Sequence, residues 1–147
     1  MLRLALYGVF GWCAEIVWTA LTGVAYAATH GERIDPKLTG HTYLWMFPIY
    51  GGGGLVFEVV HGAVSPLSWV MRGLIYMAGC FAVEYASGWL IERATGAVPW
   101  DYSYSRWHVH GIIRLDYAPV WFVFGLLLEH VQRAVSAIEP ALRGVAW

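Results

Sequence analysis

Five acidic residues lie inside long apolar stretches: Glu15, Glu58, Glu84, Asp116 and Glu129. If those stretches cross a membrane, each ionised group costs about 2.5–3.5 kcal/mol to place in hydrocarbon. A chain that keeps five must shelter them from lipid, and a sheltered polar network marks a functional site by default. Three chemistries suit such groups: coordinating a cation, holding a polar headgroup, or passing a proton. Interhelical hydrogen bonding alone is the structural alternative. It yields only about 0.6 kcal/mol per bond in membranes, so a site is the better account of so many charges.

The composition agrees with a bilayer environment. Of 147 residues, 59% are hydrophobic against about 45–50% in soluble domains, and only 13% are charged. Nine tryptophans contribute to an aromatic content of 16%. The net charge of −1 gives no reason to expect a nucleic-acid partner. Cys13 and Cys80 sit in apolar runs and read as small buried hydrophobes rather than a disulfide. No Walker Gly-x-x-x-x-Gly-Lys and no Gly-x-Ser-x-Gly elbow is present, and no cofactor is expected.

The elements that must position these groups follow from length. A span needs about 20 mostly apolar residues, and four stretches meet that: about 4–27, 42–64, 67–93 and 111–138. The expected fold is all-α: a four-helix transmembrane bundle forming one integral, multi-pass membrane domain over 1–147. The apolar N-terminal stretch is expected to be a span rather than a cleaved signal, because Glu15 interrupts it and it exceeds a signal-peptide core. Four spans put both termini on one side. Arg3, Arg72, Arg133 and Arg143 would lie there, and Arg33, Lys37, Arg93, Arg106 and Arg114 opposite, so basic residues do not orient the chain. Ser65-Pro66 makes a tight turn between spans two and three. An aromatic interfacial loop, Thr95 to His110, joins spans three and four, with Trp100, Tyr102 and Trp107 at headgroup level. Pro48 and the run Gly51 to Gly54 are expected to make span two bent or closely packed.

A rise of about 1.5 Å per residue sorts the acids by depth. Glu84 and Asp116 lie toward the loop end with Tyr50 and Arg114, beneath Asp101, His108 and His110. Glu58, His61, Glu129 and His130 lie toward the other end, and Glu15 falls between. Arg114 is the natural counter-ion for Glu84 or Asp116. Glu58 and His61 form one Glu-x-x-His, the helical spacing of di-iron bundles. Those sites need two such motifs. Glu129 and His130 are adjacent and point about 100° apart. Glu58, His61, Glu129 and His130 are therefore only weak metal candidates, and no metal is expected. The expected ligand-binding set is Tyr50, Glu84, Asp101, Arg114, Asp116 and Glu15.

Several local patterns together carry a resemblance. Gly11-Trp12-Cys13-Ala14-Glu15, Phe47-Pro48-Ile49-Tyr50-Gly51, Glu84, Pro99-Trp100-Asp101-Tyr102-Ser103 and Gly111-Ile112-Ile113 resemble the CmpB-like type IV ABC-transporter family. The likeness is nearest to its branch containing vertebrate transmembrane protein 229. It covers about residues 7 to 129, and the Trp-Asp-Tyr-Ser block is its most specific element. The resemblance implies a polytopic helical membrane protein and says little about activity. It carries polar marks onto Glu15, Tyr50, Glu58, Glu84, Trp100, Asp101, Tyr102, Ser103 and Glu129. His61, His108 and His110 lie outside the pattern. Many members have Asn-Gly-Arg where this chain has His110-Gly111-Ile112, so a role for that arginine does not carry over.

Three functions remain open on the residues. The leading one is binding or transport of a small polar solute, ion or lipid headgroup, with Glu84 and Asp101 as ligands and Tyr50 as donor. A membrane-embedded enzyme acting on a lipid at the interface is the second. An assembly subunit without a ligand is the third. Membrane lipid is an expected partner. Four spans are few for a transport path, so a homodimer or larger membrane partner is expected with the first.

Overall fold

The computed structural model describes residues 1–144. It is mostly helical, with four long helices: α1 (Leu2–His30), α2 (Met46–Val64), α3 (Trp69–Thr95) and α4 (Ala118–Gly144). Two short strands, β1 (His108–Val109) and β2 (Ile113–Arg114), and a 3-10 turn, Leu115–Tyr117, lie between α3 and α4. Two helices, α1 and α3, are long and apolar enough to cross a membrane. The chain forms two compact units, Met1–Gly52 and Gly53–Trp147, so that the division falls inside α2.

In the first unit, α1 ends where Gly31 takes a left-handed conformation (φ 69°) and returns its N–H to Ala27 O. Only glycine adopts that backbone without steric cost. Asp35 then folds the loop by accepting from the amides of Lys37 (2.9 Å) and Thr39 (3.1 Å). From there the chain returns along α1 without helical hydrogen bonds. Side chains of α1 take their place. Thr19 bonds both the amide and the carbonyl of His41 (2.8 and 3.0 Å), and the Trp12 indole donates to Tyr43 O (3.0 Å). Peptide groups outside a helix need other partners, and these polar residues of α1 supply them. Helix α2 therefore starts at Met46 rather than 42. Pro48 lies in its first turn, where the missing N–H removes no helical bond. That accounts for a proline that looked disruptive in the middle of an apolar stretch.

Small residues set the approach of α2 to α1 inside this unit. A Cβ on Gly8 would lie 2.8 Å from the Phe47 ring, and one on Gly11 would overlap Tyr50. A Cβ on Gly51 would meet Leu4 O at 2.7 Å. Gly52 has open space beside it. Close packing thus falls on Gly51, and Gly52 does not share it.

In the second unit, Ser68 caps α3 by accepting from Met71 N, and Gly96 (φ 79°) closes it through Glu92 O. α3 and α4 run antiparallel. A Cβ on Gly73 would strike Phe122, and one on Gly125 would strike Tyr76, so the two backbones approach through glycine on both sides. The segment expected to begin a fourth helix at 111 is instead a hairpin. His108 pairs with Arg114 and Val109 with Ile113. His110 (φ 53°) and Gly111 (φ 73°) occupy the turn, and Ile112 N returns to Val109 O at 3.0 Å. Positive φ at both central residues is the primed turn that matches strand twist. Ile112, 1% exposed, packs on Gly88 of α3. The helix resumes at Ala118, with Pro119 in its first turn.

Candidate functional site

Three polar constellations emerge, one in the first unit and two in the second. In the first unit, Glu15 projects from the middle of α1 toward the returning segment. Thr42 Oγ1 donates to Glu15 Oε2 at 2.7 Å, and the Tyr50 side chain hydrogen-bonds the same carboxylate. His41 is close enough to act on it electrostatically. The acid therefore meets a threonine and a tyrosine hydroxyl, both neutral. Of the expected ligand set, Glu15 and Tyr50 are brought together here, and Thr42 joins them.

The second constellation links α2, α3 and α4 in the second unit. Arg72 holds Glu129 with two nitrogens, Nε to Oε1 at 2.6 Å and Nη2 to Oε2 at 3.2 Å. Its remaining nitrogen, Nη1, donates to Leu67 O at 2.8 Å. Bidentate arginine–carboxylate pairing fixes geometry as well as charge. The Tyr76 hydroxyl donates to Glu129 Oε1 at 3.1 Å and lies 2.7 Å from His61 Nδ1. Phe57 stacks parallel to the His61 ring and tilts against Tyr76 at 4.8 Å. Glu129 is 8% exposed.

Arg72 and Tyr76 had no part in the site expected from sequence. Arg72 counted only as a topological charge. Their i, i+4 spacing puts both on one face of α3, and antiparallel pairing sets that face at the depth of Glu129. That spacing is the signal that could have found them. Of the weak metal candidates, His61 and Glu129 are drawn into this cluster. His130 instead lies 3.5 Å from Arg133, and Glu58 is one turn before His61 on α2. Among the described residues no three His, Cys, Asp or Glu side chains gather to hold a metal ion.

The third constellation is the hairpin end of α3. Trp100 Nε1 donates to Ile112 O at 2.9 Å, and Tyr102 N to Gly111 O at 2.8 Å, so the Trp-Asp-Tyr-Ser segment folds back onto the turn. Asp101 is exposed, and its Oδ1 accepts from Ser103 N at 2.8 Å. Hydrogen bonds from Ser103 hold the Asp101 carboxyl below its ordinary range. His108 Nδ1 accepts from Gly111 N at 2.9 Å, and His110 Nδ1 meets the Tyr85 hydroxyl at 2.8 Å. Arg114 pairs with Asp116 through two nitrogens, donates to the Tyr104 hydroxyl at 3.1 Å, and lies over the Tyr117 ring at 4.3 Å. The arginine lowers the Asp116 pKa, and the aspartate raises that of Arg114. Of the two counter-ion roles expected for Arg114, the structure displays the one with Asp116. Glu84 sits on α3, one turn beyond Cys80, with its Oε2 fully enclosed. Asp101 and Arg114 thus share the hairpin but engage different neighbours.

A model of the family described as Putative ABC-transporter type IV matches residues 2–143. No solved structure matches the chain.

Proposed function

Because this chain belongs to the type IV ABC-transporter family of that description, we propose that it is a multi-pass membrane protein whose four helices all span the bilayer and which binds or moves a small polar solute or ion. The observation that carries the reading is the Glu15–Thr42–Tyr50 cluster. It is a carboxylate in the middle of an apolar helix that meets one hydroxyl from a non-helical segment, Thr42, and one from the start of α2, Tyr50. Irregular backbone beside a polar group at membrane depth is how transporters build substrate sites. Exposed apolar side chains on every helix support the four-span arrangement: Val17, Val59, Leu90 and Val123 are each more than half exposed. Soluble proteins rarely leave such surfaces to water.

In this reading Glu15 and Tyr50 contact the solute. Glu84, Asp101, Arg114 and Asp116 form a second polar station at the hairpin end, with Trp100, Tyr102 and Ser103 seated among lipid headgroups. Four spans are few for a complete path, so the working unit includes a second copy or a larger membrane partner. The test uses protein reconstituted into liposomes, with sodium, potassium and phosphocholine as probes. Uptake above protein-free liposomes, lost in Glu15→Gln and Tyr50→Phe variants that still fold, is the expected result. No uptake or binding of any probe would leave the assembly-subunit reading in its place. For topology, cysteines placed at Leu2 and Gly144 after removal of Cys13 and Cys80 should label from the same side. Labelling from opposite sides refutes four spans.

A further inference from the structure

The second unit contains a chain of hydrogen-bonding groups that the solute reading does not use. Tyr76 has one hydroxyl hydrogen, yet its oxygen lies within bonding distance of both Glu129 Oε1 (3.1 Å) and His61 Nδ1 (2.7 Å). Glu129 is the anion of a bidentate pair and has no hydrogen to give. If Tyr76 donates to Glu129, His61 Nδ1 must carry a hydrogen and donate to the Tyr76 oxygen. If His61 Nδ1 is bare, the hydroxyl must turn to it, and Glu129 keeps only Arg72. The direction of the Tyr76 hydroxyl therefore reports whether His61 Nδ1 carries a hydrogen, which a neutral ring has only in its Nδ1–H tautomer.

We propose that His61, Tyr76 and Glu129 form a proton-binding site in which Tyr76 relays the protonation of His61 to Glu129. The balance is simple. Starting from the ring with its hydrogen on Nε2, a hydronium ion gives up one O–H bond and leaves as water, an N–H bond forms at the Nδ1 lone pair, and the hydroxyl swings from His61 to Glu129. The imidazolium so formed lies 3.9 Å from Glu129 Oε1, which supplies the opposing charge. Arg72 keeps Glu129 an anion, so the proton stays on His61. His61 retains 23% of its side-chain exposure. Histidine is the side chain whose ordinary titration falls between pH 5 and 8, and His–Tyr–carboxylate chains suit proton relays in membranes.

The charged and titratable groups around His61 in this unit come from three helices. α2 contributes Glu58, one turn before it. α3 contributes Arg72 and Tyr76. α4 contributes Glu129, with His130 and Arg133 engaged with one another at 3.5 Å. Arg133 Nε also donates to the Glu129 backbone carbonyl at 3.2 Å, which leaves that carboxylate to Arg72 and Tyr76. This inference stands on the second unit alone and does not depend on any solute being moved.

The experiment is infrared difference spectroscopy of the protein in lipid nanodiscs between pH 8 and pH 5, with the Glu129 carboxylate band identified by Glu129→Gln. Acidification should shift that band as the hydroxyl turns to the carboxylate, and the shift should vanish in both His61→Gln and Tyr76→Phe. Tyr76→Phe keeps the ring against Phe57 and Gly125, and His61→Gln covers the case in which it fails to fold. Nitrogen-15 NMR of labelled histidine should show the His61 Nδ1 signal moving to the imidazolium position over the same range. A Glu129 band indifferent to pH in the wild type, or a shift that persists in Tyr76→Phe, overturns the relay.

Discussion

The two units each place a glutamate against a tyrosine hydroxyl inside an apolar helix, and they treat its charge in opposite ways. Glu129 has a guanidinium on both oxygens. Glu15 has Thr42 and Tyr50, neutral donors that satisfy its oxygens and leave the net charge uncompensated, with His41 the only basic group acting on it among the described residues. The difference teaches that an acidic residue in an apolar helix has no single meaning. With arginine it is a clamp between helices, its charge fixed. With hydroxyls it is a group whose charge an incoming cation or proton can change. Chemistry that depends on gaining or losing a charge belongs with the second kind, or with an imidazole such as His61 beside the first.

The largest expected effect separates the two directly. Arg72→Gln leaves Glu129 without the guanidinium that holds both its oxygens, and should be clearly the more destabilising of the two changes. Glu15→Gln removes no ion pair and should cost less than about 1 kcal/mol, in line with an ordinary hydrogen bond. The measurement is unfolding in mixed micelles. The double variant Arg72→Gln with Glu129→Gln should recover part of the loss. Equal costs for Arg72→Gln and Glu15→Gln would erase the contrast.

A second set of substitutions sharpens the packing side of the same comparison. In the first unit Gly11→Ala forces a methyl into Tyr50, and in the second Gly125→Ala forces one into Tyr76. Each change disturbs the tyrosine that serves the glutamate. Overpacking of this kind costs about 1–3 kcal/mol. Gly52→Ala meets open space and should be neutral or stabilising by up to about 1 kcal/mol, the helix-propensity difference. Thermal melting of the three variants decides it. A Gly52→Ala variant as damaged as the other two would show that α2 is packed more closely at that point.

The smallest effect concerns the hairpin, whose charges lie outside the helices. Asp101 and Asp116 are both held below their ordinary carboxyl range, by Ser103 and by Arg114. A depressed carboxyl contributes its stability above its unfolded pKa and loses it as pH falls through the folded value. The hairpin should therefore be indifferent to pH from neutrality down to about 4, the ordinary aspartate value, and loosen only below it. The difference in tryptophan fluorescence between the wild type and Trp100→Phe, followed against pH, checks this, and Asp101→Asn should shift the profile only slightly because the side chain is exposed. Loosening between pH 5 and 7 would overturn this expectation.

Much of the fold was legible because its signals are local. Apolar length marks α1 and α3, expected at about 4–27 and 67–93; the glycines that end them, Gly31 and Gly96, and the Ser68 cap are local signals those bounds left unused. Where the reading failed, the deciding contacts were distant in sequence. Residues 42–45 are as apolar as a helix, but Trp12 and Glu15 bond that segment, and Thr19 the adjoining His41, as an extended chain. Residues 111–117 likewise follow the hairpin, because Ile112 fills the space over Gly88. Pro48 and Pro119 marked both true helix starts, since proline is tolerated in a first turn.

The sequence by itself determined that this chain is mostly helical, suited to membranes, and carries acids it must shelter. Composition and periodicity act along the chain, and they need no knowledge of neighbours. Tertiary structure alone decided which acid meets which partner: Glu15 with Thr42 and Tyr50, Glu129 with Arg72 and Tyr76, Arg114 with Asp116. The physical reason is that a buried charge is set by groups within a few ångströms. Helix packing through Gly11, Gly73 and Gly125 brings residues up to 57 positions apart to that distance.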